Sequence, residues 1–371
     1  MDPSRYQTLQ TPCMVIDHQA ALRNIRRMQA VADQNGVALR PHIKTHKMPF
    51  YARLQVAAGA KGITCAKVSE AEVMADGGID DIFIAYPLVG AFRMERALAL
   101  LPKCQRLILA VDSLAGARAL NDFALARGVV FEVRMEVDTG ARRTGVALER
   151  AVDLALALRA MEGLRLTGVY TFKSMLLHGD CCTDRDAAGA EEGALLRGLQ
   201  TALGRAGVHL ADVSAGSTPT GEAVARTGAV TEIRPGTYIF NDHMVCCEGA
   251  ARPRDIAARY VATVVSTPSP EYAVLDGGTK MFATDVLLRQ PPYFYESYAY
   301  VDGREDLVLA RLNEEHGMLT STRGPTGLQV GQVLTLIPVH VCTGINLQNS
   351  VYIDFGASIQ PMPVAARGML V

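Results

Sequence analysis

From Val37 to about Tyr238 the chain alternates short apolar runs with amphipathic stretches. Eight runs read as strands: VALRPHIKT (37–45), GITCAK (62–67), DIFIAY (81–86), RLILAV (106–111), VFEVRMEV (130–137), LTGVYTF (166–172), ADVSAG (211–216) and TEIRPG (231–236). Segments between them, such as VSEAEVMADGG, SLAGARALNDFALARG and LERAVDLALALRAM, place apolar residues at three- and four-residue spacing, and several end on glycine. Eight strands, each followed by a helix or a long connection, predict an α/β fold of the (β/α)8 TIM-barrel type. A doubly wound open sheet would want a glycine-rich phosphate turn after its first strand, and PHIKTHK is no such turn.

After about Gly249 the texture changes. RYVATVVSTPS, EYAVLDGG, GQVLTLIPVHVC and SVYIDF read as strands separated by Gly/Pro turns, which predicts a second, C-terminal all-β domain. TPCMVID, ahead of the barrel, also reads as a strand and is a candidate to join it. The boundaries drawn are 13–249 for the barrel, with 1–12 and 250–371 for the β-domain.

Composition narrows the class. Hydrophobic residues make up 49% of the 371 and charged residues 20%, enough for a buried core and against disorder. A formal net charge of -1, with no long run of one sign, gives no electrostatic footprint for nucleic acid or a membrane surface. No apolar stretch is long enough to span a bilayer, and no signal peptide is evident. The eight cysteines lack framework spacing, which suits reduced thiols in a cytoplasmic enzyme.

Lys44 falls at the C-terminal end of the first barrel strand, the face on which such barrels build active sites. A lysine walled in there becomes the amine that forms Schiff bases. Barrels also bind phosphate on the loops after strands seven and eight, where glycines let backbone N–H groups face an anion. The segments there are Gly216-Ser217-Thr218 and Gly236-Thr237-Tyr238. Either tripeptide alone is an ordinary turn; together, beside a strand-one lysine, they predict a phosphorylated cofactor.

These residues sit in longer motifs that resemble a known family. RPHIKTHK resembles the cofactor-lysine segment of the D-serine dehydratase and D-threonine aldolase family, and VDTGARRTGV a motif shared with alanine racemases. VSAGSTPT resembles the family phosphate loop, EIRPGTYIFND its eighth-strand segment, and NEEHG and PVHVCTGINL its C-terminal motifs. The resemblance implies a pyridoxal 5'-phosphate (PLP) enzyme of alanine racemase-like fold, usually a homodimer with active sites at the interface. It makes Lys44 the Schiff-base lysine and puts Arg143 near the cofactor ring. Ser217, Thr218, Gly236 and Tyr238 become phosphate contacts, with Gly216, Thr237 and Tyr170 expected beside them. Arg234 takes the place of an arginine against the pyridine nitrogen. Such a guanidinium holds its proton, leaving the ring nitrogen unprotonated and a weaker electron sink.

His340-x-Cys342 is the second constellation. In a strand, side chains at i and i+2 share a face, and imidazole with thiolate suits Zn²⁺ while leaving positions for water and substrate. The family places its divalent metal on this His-x-Cys pair or on His-x-Asp, the cysteine resembling the dehydratase branch. His316 in the EEHG segment is then expected near the metal, as support or as an acid–base group.

One segment departs from the family. Where relatives carry a histidine after strand six, this chain reads Tyr170-Thr171-Phe172-Lys173-Ser174-Met175. Lys173 is a candidate replacement for that acid–base residue, or a partner for a second substrate carboxylate; a solvated loop lysine is the plain alternative. The expected activity is metal-assisted β-elimination from a D-3-hydroxy amino acid: D-serine, D-threonine or D-threo-3-hydroxyaspartate. An aldolase, a racemase and a non-catalytic PLP carrier are the rivals.

Overall fold

The computed structural model describes residues 3–371. The chain opens with β1 (Cys13–Asp17) and α1 (His18–Gln34). Strands and helices then alternate: β2 (Ala38–Leu39), α2 (Pro49–Ala57), β3 (Ile63–Cys65), α3 (Val68–Asp76), β4 (Asp81–Pro87), α4 (Ala91–Leu100), β5 (Arg106–Val111) and α5 (Leu114–Arg127). Next come β6 (Phe131–Asp138), its two-residue appendage β7 (Val146–Ala147), α6 (Ala151–Arg159) and β8 (Leu164–Tyr170). The hairpin β9 (Leu176–Leu177) and β10 (Asp180–Cys181) follows, then α7 (Arg185–Arg205), β11 (Asp212–Ala215), α8 (Gly221–Arg226) and β12 (Glu232–Ile233).

The eight expected barrel strands are all present, in the parallel order β2-β12-β11-β8-β6-β5-β4-β3. The ring closes where His42 bridges Thr64, with the Lys61 N–H donating to the Leu39 carbonyl and the Thr64 N–H to the Pro41 carbonyl. Helices cover the outside, so strands such as β5 are buried on both faces and read as near-continuous apolar runs. Local signals end the helices as expected. Ser113 accepts from the Gly116 N–H at the start of α5, and Gly128 closes it in the left-handed region at φ 65°.

A layer of charge fills the N-terminal end of the barrel. Asp81, Arg106, Glu132, Asp212 and Glu232 each stand in the first two positions of their strands. Glu232, fully buried, accepts from Arg40 Nε (2.8 Å), Arg134 Nη1 (2.6 Å) and Ser214 Oγ (2.6 Å). Arg40 also reaches Asp81, Arg134 also reaches Asp212, and Arg106 joins Asp212 to Glu132. Above this layer Phe83, Ile108, Ala110 and Tyr170 pack as an apolar cluster, Phe83 meeting Tyr170 edge to face.

The second unit gathers α9 (His243–Cys247), β13 (Ala258–Ser269), β14 (Tyr272–Leu275), β15 (Ala299–Val301), β16 (Leu307–Leu312) and β17 (Gly317–Ser321). It ends with β18 (Val333–Pro338), α10 (Val341–Leu347), β19 (Ser350–Asp354) and β20 (Ile359–Pro363). Strands β13-β14-β17-β16-β15-β18 close an antiparallel ring. Two register shifts let the twelve-residue β13 serve both ends of it. β1 pairs with β13 and β19 and so extends this sheet, although Cys13–Asp17 lies inside the 13–249 span drawn from sequence. The compact units divide at Asn24/Ile25 and Gly236/Thr237, with Thr45–Lys47 grouped with the antiparallel unit. No described helix is long and apolar enough to cross a membrane, and no disulfide links the cysteines.

Burial opposes ionisation of Glu232, but Arg40, Arg134 and the Ser214 hydroxyl more than offset it and hold the carboxyl below the usual carboxylate range. A depressed folded pKa stabilises above the unfolded value, near 4.3, and the gain is lost as pH falls below it. Removing one partner of a buried ion network typically costs roughly 3–5 kcal/mol. Glu232→Gln should therefore lower the Tm at pH 7, and the gap to wild type should narrow below about pH 4. Thermal unfolding across pH checks both; a gap that stays constant with pH would refute the electrostatic account.

Candidate active site

Past β2 the chain rises through the Arg40 and His42 backbone bonds to a one-turn 3-10 helix, Ile43–Thr45. Ile43 and Thr45 are buried, whereas Lys44 between them is exposed. The expected walled-in amine is therefore not what this chain presents by itself. Phe172, just past β8, organises the site instead. The Lys44 Nζ lies 5.9 Å from its ring centroid and the Arg143 Cζ 4.7 Å from the same centroid. One aromatic ring thus brings together the strand-one lysine and the arginine of DTGARRTG.

Arg234 follows β12 and is buried. Its Nη1 donates to Ser214 Oγ (2.7 Å), its Nη2 to the Thr171 carbonyl (2.6 Å), and its plane lies over the Tyr170 ring at 5.1 Å. Burial disfavours its charge and pulls the group below the usual guanidinium range. The Tyr170 hydroxyl is committed to Glu136 Oε2 at 2.9 Å, so the ring face is what Tyr170 offers a cofactor. Since Ser214 also bonds Glu232, Arg234 is tied through one hydroxyl to the ionic layer below.

The strand-seven loop has the shape of an anion cradle. Gly216 takes φ +81°, and a Cβ there would stand 2.9 Å from the Gly221 Cα. Ser217 and Thr218 are buried, and the Ser217 N–H and hydroxyl both meet Thr220 Oγ1. Only glycine fits the first position, and successive backbone N–H groups can then face an anion. Gly236 ends the barrel unit; Thr237 and Tyr238 open the next 3-10 turn, with Tyr238 buried. Glycine and hydroxyl donors with a guanidinium nearby fit a phosphorylated pyridine, for which Lys44 would supply the amine.

Lys173 is neither a surface lysine nor available to a substrate. It is buried, paired with Glu191 at 2.5 Å, and also donates to the carbonyls of Leu176 and Ala188. An ammonium has three N–H donors, and these partners account for all of them. The residue ties the β9–β10 hairpin to α7. His178 bonds the same Glu191, which reinforces that tie. Behind the phosphate loop lies Glu192, buried, with the backbone N–H groups of Gly216 and Lys173 directed at its carboxylate. Burial pushes its carboxyl up to about 7, against the pull of Arg234 and Lys173.

The metal pair lies in the antiparallel unit, but not on a strand. β18 stops at Pro338; His340 is the extended N-cap of α10 and Cys342 stands in its first turn. The buried carboxylate of Asp242 dictates the change by accepting the Val341 N–H at 2.9 Å while capping α9 through the Val245 N–H. The two side chains still meet. His340 hydrogen-bonds Cys342, and burial of the imidazole is outweighed by Cys342 and Asp285, which hold it well above the usual histidine range. His340 Nδ1 is 2.6 Å from Asp285 Oδ2. The Cys342 Sγ meets Thr45 Oγ1 at 3.2 Å and Thr237 Oγ1 at 3.6 Å, the residues that directly follow Lys44 and Gly236 in the chain. Among the described residues no three His, Cys, Asp or Glu side chains converge as a metal cage. One imidazole and one thiol fit zinc with open positions, the pattern of a catalytic rather than a structural site. His316 is exposed in the β16–β17 turn, where its carbonyl accepts from the Asn313 N–H.

Comparison with known proteins agrees with both halves. The alanine racemase N-terminal domain matches residues 16–243 and a serine dehydratase domain matches 257–353. The chain is 35% identical to D-threo-3-hydroxyaspartate dehydratase of Delftia sp. over 90% of its length and 91% of the relative's. It is 30% identical to D-threonine aldolase of Arthrobacter sp. over 96% and 93%. The solved structure of the Delftia dehydratase superposes with a TM-score of 0.86 at 34% identity, covering 96% of this chain and 98% of that one. The chain therefore belongs to the D-serine dehydratase and D-threonine aldolase family of PLP-dependent lyases, built on an alanine racemase-like barrel.

Proposed function

We propose that this protein is a dehydratase of D-3-hydroxy amino acids that uses PLP on Lys44 and zinc on His340 and Cys342. The observation that carries the reading is the donor set: an imidazole and a thiol in contact, the imidazole backed by Asp285. Sulfur with nitrogen favours zinc over the harder metals that carboxylates accept. A solved structure of a cysteine-to-alanine mutant of D-threo-3-hydroxyaspartate dehydratase is described as in the metal-free form. When bound, PLP would supply an electron sink for the substrate α-carbon and zinc the Lewis acidity that makes a β-hydroxyl a leaving group.

The chain's own residues do the rest. Lys44 Nζ would take the α-proton, with the Phe172 ring beside it. Ser217 and Thr218 would hold the phosphate end, and Arg234 would face the ring nitrogen with its proton kept. Loss of water across Cα–Cβ gives an enamine, whose hydrolysis yields a 2-oxo acid and ammonia. Because Lys173 is fully engaged within the protein, it gives no preference for a dicarboxylic substrate. We infer that the protein works as a cytoplasmic homodimer. Exposed Tyr86 near the end of β4, Val89 in the following connection and Phe92 in α4 give it an apolar surface to cover.

Incubation with D-serine, D-threonine and D-threo-3-hydroxyaspartate should release ammonia and the matching 2-oxo acid. Glycine with an aldehyde or an oxo acid would make it an aldolase instead.

Chelation should stop turnover and leave the bound-cofactor absorbance unchanged, with zinc restoring activity to wild type but not to Cys342→Ala. Full activity of metal-free protein would remove metal from the mechanism.

Lys173→Met should lower thermal stability and expression while changing relative rates on the three substrates by less than about twofold, a small fraction of a charge-assisted contact. Selective loss on the dicarboxylic substrate would return Lys173 to the active site.

A further inference from the structure

We infer that Asp285, held by Thr343, is the positioning residue that orients His340 toward the metal. This rests on the proposal that His340 and Cys342 bind zinc, and it concerns a carboxylate that carries no motif in the sequence.

An imidazole can bind a metal through either nitrogen, and the partner of one decides the role of the other. Asp285 Oδ2 sits 2.6 Å from His340 Nδ1, the length of a charge-assisted hydrogen bond. With Nδ1 committed to the carboxylate, Nε2 is the nitrogen left to give up its proton and ligate. The other oxygen, Asp285 Oδ1, accepts from Thr343 Oγ1 at 2.7 Å. Both oxygens thus have protein donors, which marks Asp285 as support for a ligand rather than a ligand itself. Thr343 directly follows Cys342 on α10, so one helical turn carries the thiol and the hydroxyl that fixes the carboxylate. Asp285 comes from the long β14–β15 connection, outside regular secondary structure. His340, as the N-cap, is itself fixed by the Asp242 bond to the next residue. Two carboxylates therefore act on the site from different elements: Asp242 sets the backbone and Asp285 sets the ring.

Losing such an outer partner typically weakens metal binding 10–100-fold. Zinc affinity of the PLP-loaded protein is measured by competition with a chromophoric chelator, alongside cofactor absorbance and circular dichroism as checks of folding. Wild type should bind one zinc per chain and Cys342→Ala should lose it. Asp285→Ala should bind roughly 10–100-fold more weakly. Asp285→Asn, whose amide oxygen still accepts from Nδ1–H, should recover part of the loss, and a purely structural defect would show no such recovery. If Cys342→Ala loses zinc while Asp285→Ala keeps wild-type affinity, the positioning role is wrong and the metal site stands. If wild type binds no zinc, or Cys342→Ala binds it as well as wild type, the metal site itself is wrong. Should Asp285→Ala not fold, Thr343→Val carries the test, because it removes one hydroxyl and leaves the carboxylate. Unchanged affinity there would overturn the inference, and weakened affinity supports it.

Discussion

The carboxylate of Glu232 is the point on which the barrel turns. A buried charge is tolerated only when its attraction to fixed partners offsets desolvation, and Glu232 has two guanidinium groups and a hydroxyl within 2.8 Å. Its partners come from the start of the barrel, from β6 and from β11, so one ion joins strands far apart in the ring. Ser214 then passes the constraint upward, accepting from Arg234 while donating to Glu232. The guanidinium expected at the cofactor ring therefore has no freedom to move away. Its other arm is fixed on the Thr171 carbonyl, at the end of the strand that also carries Tyr170. Stability at the bottom of the barrel and chemistry at its top share one chain of hydrogen bonds.

The antiparallel unit solves a similar problem with other means. Here the side chains to be fixed are a histidine and a cysteine at the start of a short helix, where backbone N–H groups lack helical partners. Asp242 satisfies one such group and so decides where α10 begins, which sets the separation of His340 from Cys342. Asp285 and Thr343 then settle the ring, and the hydroxyls of Thr45 and Thr237 lie against the sulfur.

Much of this was legible in the sequence, for physical reasons. All eight barrel strands could be read because their buried positions are largely apolar and alternate with amphipathic stretches, and Gly216 could be read as a turn because it follows a strand and precedes small hydroxyl residues. What could not be read depended on partners distant in sequence. Lys173 looked like a free cation because Glu191 lies 18 residues away on another element, and its burial follows from that pairing. The His-x-Cys pair looked like a strand because β18 runs into it, and the helix start comes from Asp242 nearly a hundred residues earlier. Phe172 and Asp285 had no signal, since an aromatic in a loop and an aspartate in a long connection are commonplace. Lys44 follows the first barrel strand as read, in a 3-10 turn, but its exposure depends on what surrounds it and not on its own segment.

The central claim is that Lys44 carries the cofactor. Borohydride reduction of the PLP-loaded protein, followed by proteolysis and mass spectrometry, reads the attachment site directly. The account predicts one pyridoxyl group per chain, on the peptide containing Lys44, and none on Lys44→Ala. A label on Lys47, Lys173 or any other lysine of the wild type would contradict it.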